Sequence, residues 1–142
     1  MRTNTALTLY NRVPGTETYH RTVIGRVAWE NRKASNVLAS GGTIAADQAA
    51  IYLPARTPGY LSPKAWQALA DKSTAWTLQT GDVVVKGTVT DEIHAAVVGP
   101  PAVAAFTMTD LKAKYDDVLT ITSVDVMDNG SPAMRHFQIG AR

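Results

Sequence analysis

Three histidines, two adjacent acidic pairs and a scatter of serines are the residues of this chain whose types could do chemistry. His20, His94 and His136 lie far apart, and none stands at the H-x-x-x-H or similar spacing that lets two imidazoles share a metal ion. His20 and His136 fall in alternating segments and read as surface or edge residues. Asp91-Glu92 and Asp116-Asp117 are neighbours in sequence. Acid–base catalysis needs two carboxyls converging on one bond, whereas adjacent residues point apart on a strand and do not face each other on a helix. The first pair reads as a strand end, the second as a helix C-terminus followed by a turn.

Ser35, Ser40 and Ser123 have no base assigned to them by any motif, and Gly41-Gly42 is too isolated to cradle a phosphate. No nucleophile elbow, P-loop, dinucleotide fingerprint or EF-hand loop occurs. Trp29, Trp66 and Trp76 could offer stacking faces to a base or a sugar, but each occupies the apolar phase of its own segment and reads as core. The residues therefore predict a non-enzymatic chain with no catalytic residue, no metal ligand and no cofactor.

Composition narrows the classes further. The chain has no cysteine, which removes disulfide frameworks, thiolate zinc sites and cysteine nucleophiles. Its 14 basic and 12 acidic side chains are mixed along the sequence, so no basic tract announces nucleic-acid binding. Charged residues are 18% of the total, against about 25% in an average globular domain, which suggests that part of the surface faces partners rather than water. The 142 residues fit one domain, spanning 1–142. The N-terminus lacks the apolar run of a signal peptide, and no stretch approaches a membrane span. A soluble compartment and no membrane contact are expected.

The elements that must position these residues are mostly strands. Leu7-Thr8-Leu9-Tyr10-Asn11-Arg12-Val13 alternates and stops at Pro14-Gly15. The segment 19–30 alternates over a long stretch, with Val23, Gly25, Val27 and Trp29 on one face, and Gly25 marks a bulge or bend. Residues 31–48 become small and polar and read as a flexible loop or a β-excursion; 49–53 is a short strand ended by Pro54. Ser62-Pro63 opens a helix over 63–72 with Trp66, Leu69 and Ala70 on one face. Residues 76–89 read as a hairpin turning at Thr80-Gly81-Asp82.

The segment 92–106 carries Gly99-Pro100-Pro101 inside an Ala/Val-rich stretch, so it is a loop or an edge, and one more natural if a neighbouring subunit covers it. A second capped helix spans 110–116, with Leu111 and Tyr115 inward. A strand over 118–127 turns at 128–132 and returns antiparallel over 133–139. The sum is a mainly β chain: an antiparallel barrel or sandwich of six to eight strands with two short helices.

Several segments together carry a likeness: Arg21-Thr22-Val23-Ile24 with Trp29-Glu30-Asn31-Arg32-Lys33, Ile51-Tyr52-Leu53-Pro54, and Ser62-Pro63-Lys64-Ala65-Trp66-Gln67-Ala68-Leu69. Trp76-Thr77-Leu78 with Gly81-Asp82, and the run from Leu111 through Tyr115-Asp116-Asp117 to Val124-Asp125, extend it over nearly the whole chain. In these segments the chain resembles the small minor capsid and head–tail connector proteins of long-tailed bacteriophages and prophages.

That resemblance implies a β-barrel subunit of a virion, most directly a head-closure (stopper) or connector protein of the neck, assembled in the bacterial cytoplasm. Its implied partners are further copies of itself in a homo-oligomeric ring, the portal or adaptor protein, and a tail-terminator or tail protein. A tail-terminator or tail-completion role, or a minor capsid or decoration role, is the alternative. Two segments suit interface or channel duty: 33–48, with Lys33, Ala34, Asn36, Gly41 and Gly42, and 92–105, with Gly99, Pro100 and Pro101. If the ring contacts packaged DNA, Arg32, Lys33 and Lys86 are the candidates for lining it.

Overall fold

A computed structural model describes residues 3–37 and 43–142, with the side chains of all of these except 32–47. Among the described residues the chain forms β1 (Thr5–Arg12), β2 (Tyr19–Val37), β3 (Thr43–Pro54), α1 (Pro63–Gln67), β4 (Val83–Lys86), α2 (Met108–Lys114), β5 (Val118–Met127) and β6 (His136–Ala141). The strands close in the order β1-β2-β3-β6-β5-β4, with β4 returning to β1 and every pairing antiparallel. Of the two expected architectures, the barrel is therefore the one formed, with six strands.

Alternation explains the closure. Leu7 and Leu9 of β1, Ile51 and Leu53 of β3, Ile121 of β5 and Ile139 of β6 are fully or almost fully buried and meet inside the barrel. Each such side chain contributes about 1.5–3 kcal/mol relative to exposure. Gly25 does mark a bulge: Thr5 opposes Val27 and Leu7 opposes Ile24, so β2 carries one extra residue against β1. The bulge changes which face points inward. Ile24 is buried before it and Val27 and Trp29 after it, while Val23 is left 38% exposed, so the expected single face of Val23, Gly25, Val27 and Trp29 is corrected by one residue at its start. A second extra residue, Thr122, sits in β5 between Ile121 and Ser123 and bends that strand around the barrel.

A smaller apolar cluster lies outside the barrel wall. Tyr10, Val83, Val85, Val89 and Leu111 are buried there, with Ile93, Phe106, Met108 and Tyr115 packed against them. β1 and β4 are thus covered on both faces, which is why Val83-Val84-Val85 is an unbroken apolar run. This layer also overturns the expected hairpin over 76–89. The turn exists, with Asp82 N–H donating to the Gln79 carbonyl at 3.2 Å, but β4 pairs with β1 and β5. Trp76 instead bridges Tyr60 in parallel.

The helices are shorter or shifted relative to expectation. α1 ends at Gln67 rather than 72, because the Leu69 N–H bonds back to the Trp66 carbonyl and the Lys72 ammonium takes the Leu69 carbonyl. Ser62 holds the N-cap position without a side-chain cap bond, and Trp66 is fully buried. α2 begins two residues early, since Thr107 and Asp110 form a reciprocal capping box. All three tryptophans are core residues.

Candidate functional site

Two extensions leave this barrel, and the strand registers place their roots at opposite ends of it. The first is a β-ribbon arm. β2 continues past its last partner on β1, Val27, and β3 begins before its first partner on β6, Ala49. From Arg32↔Gln48 to Val37↔Thr43 the two strands pair with each other, and among the described residues no third strand pairs with them. At about 3.3 Å per residue these six pairs reach roughly 20 Å from the barrel.

The segment 33–48, read as a loop or a β-excursion, is therefore strand over 33–37 and 43–48. Lys33 opposes Asp47, Ala34 opposes Ala46 and Asn36 opposes Ile44 in register. Gly41 and Gly42 lie outside the described residues. Lys86 is exposed at the end of β4 opposite Leu7, which brings it to the barrel end from which the arm with Arg32 and Lys33 departs.

The second extension is a flap over 92–106. Residues 87–91 run back along the outside of β1: Thr8 Oγ1 donates to the Gly87 carbonyl at 2.8 Å and accepts from the Val89 N–H at 2.9 Å, and the Tyr10 hydroxyl donates to the Asp91 carbonyl at 2.7 Å. This path delivers the flap to the other end of the barrel, beside Glu17, Thr18 and Tyr19 where β2 starts. There His94 bridges Phe106 and Val97 bridges Val103, each through two backbone hydrogen bonds of 2.8–3.0 Å. Gly99, Pro100 and Pro101 form the tip. A Cβ on Gly99 would stand 1.9 Å from the Ala102 nitrogen, so the turn admits only glycine.

The flap's root is held by the residues that sequence reading took for inert acidic neighbours. Asp91 accepts from the Lys114 ammonium at 2.9 Å and from the Tyr115 hydroxyl, while Glu92 accepts from the Arg21 guanidinium at 2.7 Å. Arg21 also donates to the Val89 carbonyl at 3.0 Å. The Tyr115 and Lys114 hydrogen bonds hold the Asp91 carboxyl below its ordinary range. Burial pushes the Tyr10 phenol up, so it stays a donor at any physiological pH. Adjacent carboxylates do point apart, as expected, and each thereby ties the flap root to a different element.

A polar node lies at the same end as the flap. Asp82 is 2% exposed and contacts no cation among the described residues. Asn11 donates to it at 2.7 Å, the Arg12 N–H at 3.0 Å and Gln79 at 3.0 and 3.2 Å. Burial raises the Asp82 carboxyl above its ordinary range despite these donors. Its native form binds protons more readily than its unfolded form, so its contribution to stability falls as pH rises through that window. Asn11 also closes a pair of bonds with the Thr77 backbone, at 2.8 Å to its carbonyl and 3.2 Å from its N–H. The node pins the turn over 79–82 to the end of β1.

The remaining candidates stay apart. His20 sits edge-on to Trp66 and His136 edge-on to Tyr52, both half-buried, and His94 lies in the flap. Among the described residues no three His, Asp or Glu side chains gather where they could hold a metal ion, and no helix is long and apolar enough to cross a membrane. The features that sequence reading missed, the Asp82 node and the Asp91 and Glu92 ties, rest on bonds such as Asn11–Asp82, Arg21–Glu92 and Lys114–Asp91 that join residues 71, 71 and 23 positions apart and leave no local signature.

No curated protein and no solved structure matches the chain. A family model does, over residues 2–142, and its description is a family of unknown function, DUF6751. The chain, matched along nearly its whole length, belongs to that family.

Proposed function

We propose that this chain is a structural subunit of a tailed-phage virion, a head-closure or head–tail connector protein that forms a ring in the neck. The observation that carries the reading is the placement of two chemically different extensions at opposite ends of one closed barrel. A connector must bind one neighbour on each side, and a closed barrel leaves few strand edges for such contacts except those its extensions supply. The arm offers two paired strands whose outer edges no third strand takes up among the described residues, suited to β-augmentation. The flap offers apolar surface, with Val98 at 96% exposure. The family likeness in the segments quoted above supports the phage context. If the ring contacts packaged DNA, Lys86 and the arm positions Arg32 and Lys33, which lie toward the same end of the barrel in sequence register, are the candidates for that contact.

Removing the chain from the phage or prophage that encodes it tests this. The expected products are DNA-filled or leaking heads without tails beside free tails of normal length. Tails of uncontrolled length would transfer the chain to the tail-terminator role, and intact infectious particles would reject a neck role in favour of capsid decoration.

A further inference from the structure

The chain has five asparagines, at 4, 11, 31, 36 and 129, and Asn129 alone is followed by glycine. Asparagine is a thermolabile residue, lost when the next backbone nitrogen reaches its side-chain carbonyl carbon. The fold holds the other described asparagine side chains away from that reaction. Asn4 accepts from the Trp29 N–H at 3.0 Å and donates to the Trp29 carbonyl at 3.1 Å. Asn11 is fully buried, its amide nitrogen bonded to Thr77 and Asp82 and its oxygen to the Thr77 N–H. The Arg12 N–H, which would have to attack Asn11, donates to Asp82 at 3.0 Å. Asn31 accepts from the Trp29 indole at 2.7 Å, and both Asn31 and Asn36 lie in the paired part of β2.

Asn129 has none of these restraints. It follows the last β5–β6 pair, Met127↔His136, in an exposed connection over 128–135. Neither its side chain nor the Gly130 N–H makes a hydrogen bond to another described residue. Gly130 has a φ of 86° and no Cβ, so nothing of its own shields the nitrogen. We propose that Asn129–Gly130 is a self-modification site of the folded chain, converting through a cyclic imide to aspartate and isoaspartate. The Gly130 nitrogen forms a bond to Asn129 Cγ. The Cγ–Nδ2 bond breaks, and Nδ2 leaves as ammonia with the proton that the Gly130 nitrogen gives up. Water then adds across one of the two bonds between the imide nitrogen and its carbonyl carbons. Opening at Cγ gives aspartate; opening at the main-chain carbonyl gives isoaspartate, in which the main chain runs through Cβ and Cγ. Water is consumed, ammonia is released, and no oxidant or reductant takes part. Either product places a new negative charge beside Asp128, outside the strand ladder.

The test keeps the full chain, folded and in denaturant, in warm, mildly alkaline buffer and follows each asparagine by peptide mass spectrometry. Conversion adds one mass unit, and chromatography separates the isoaspartyl from the aspartyl peptide. In the folded chain Asn129 is expected to convert first, as a mixture of the two products, at nearly its rate in the unfolded chain. Asn4, Asn11 and Asn31 are expected to convert many-fold more slowly folded than unfolded. Asn129→Gln lengthens the side chain so that the same attack must close a larger ring, and it should remove the leading acidic form of the aged protein. An Asn129 that stays intact in the folded chain while the unfolded chain converts it overturns the inference. So does an acidic form that persists undiminished in Asn129→Gln.

Discussion

The arm and the flap are built by opposite strategies from strands of the same barrel. The arm is an uninterrupted continuation of β2 and β3, polar in sequence, its backbone bonded across two strands and supported by no third strand among the described residues. The flap is nearly free of regular secondary structure, uncharged beyond Glu92 at its root, and fastened to the barrel by Tyr10, Arg21, Lys114 and Tyr115 over a buried apolar layer. The difference teaches that regular structure and integration into the fold are separate properties. A two-stranded ribbon by itself is marginal in water, so the well-paired arm adds little to the stability of the barrel. The irregular flap sits on a layer whose burial the barrel wall depends on.

That contrast can be broken by mutation. Leu111→Ala empties a fully buried site under the flap and should lower the unfolding free energy by about 2–5 kcal/mol in denaturant titration. A loss below 1 kcal/mol would mean that the flap-side layer is an appendage after all. At the other extreme, replacing residues 32–48 by a two-residue Asn-Gly turn joins the paired positions Asn31 and Ala49 directly. Barrel stability should then stay within about 1 kcal/mol of the parent, while head–tail joining is lost. A barrel that unfolds without its arm would reverse the comparison.

An antiparallel β fold, barrel or sandwich, was legible in the sequence because strands facing a core on one side alternate, as the return strand β6 does; β1, buried on both faces, alternates in residue type but not in burial. Gly25 announced its bulge because an interior glycine serves few other ends in a strand. The arm was half legible: its small polar residues lack an apolar face, and its pairing follows from the register inherited from β2 and β3 rather than from its own composition. The hairpin over 76–89 misled because a Gly-Asp turn between apolar runs looks local. Its strand pairs with β1 and β5 instead, while Trp76 and Leu78 enter the barrel core through their own side chains. Of the interface candidates, Gly99, Pro100 and Pro101 could be identified because proline cannot continue a strand. The ties at Asp91, Glu92 and Asp82 could not, because each depends on a partner that only the closed barrel brings near.

The central claim is that the arm and the flap are two separate contact regions serving two different neighbours. Hydrogen exchange of the chain free in solution and incorporated in particles measures this directly, peptide by peptide. The account predicts new protection in two blocks, residues 32–48 and 92–106, with the barrel strands between them unchanged. Exchange in both blocks as fast in the particle as in the free chain would contradict it.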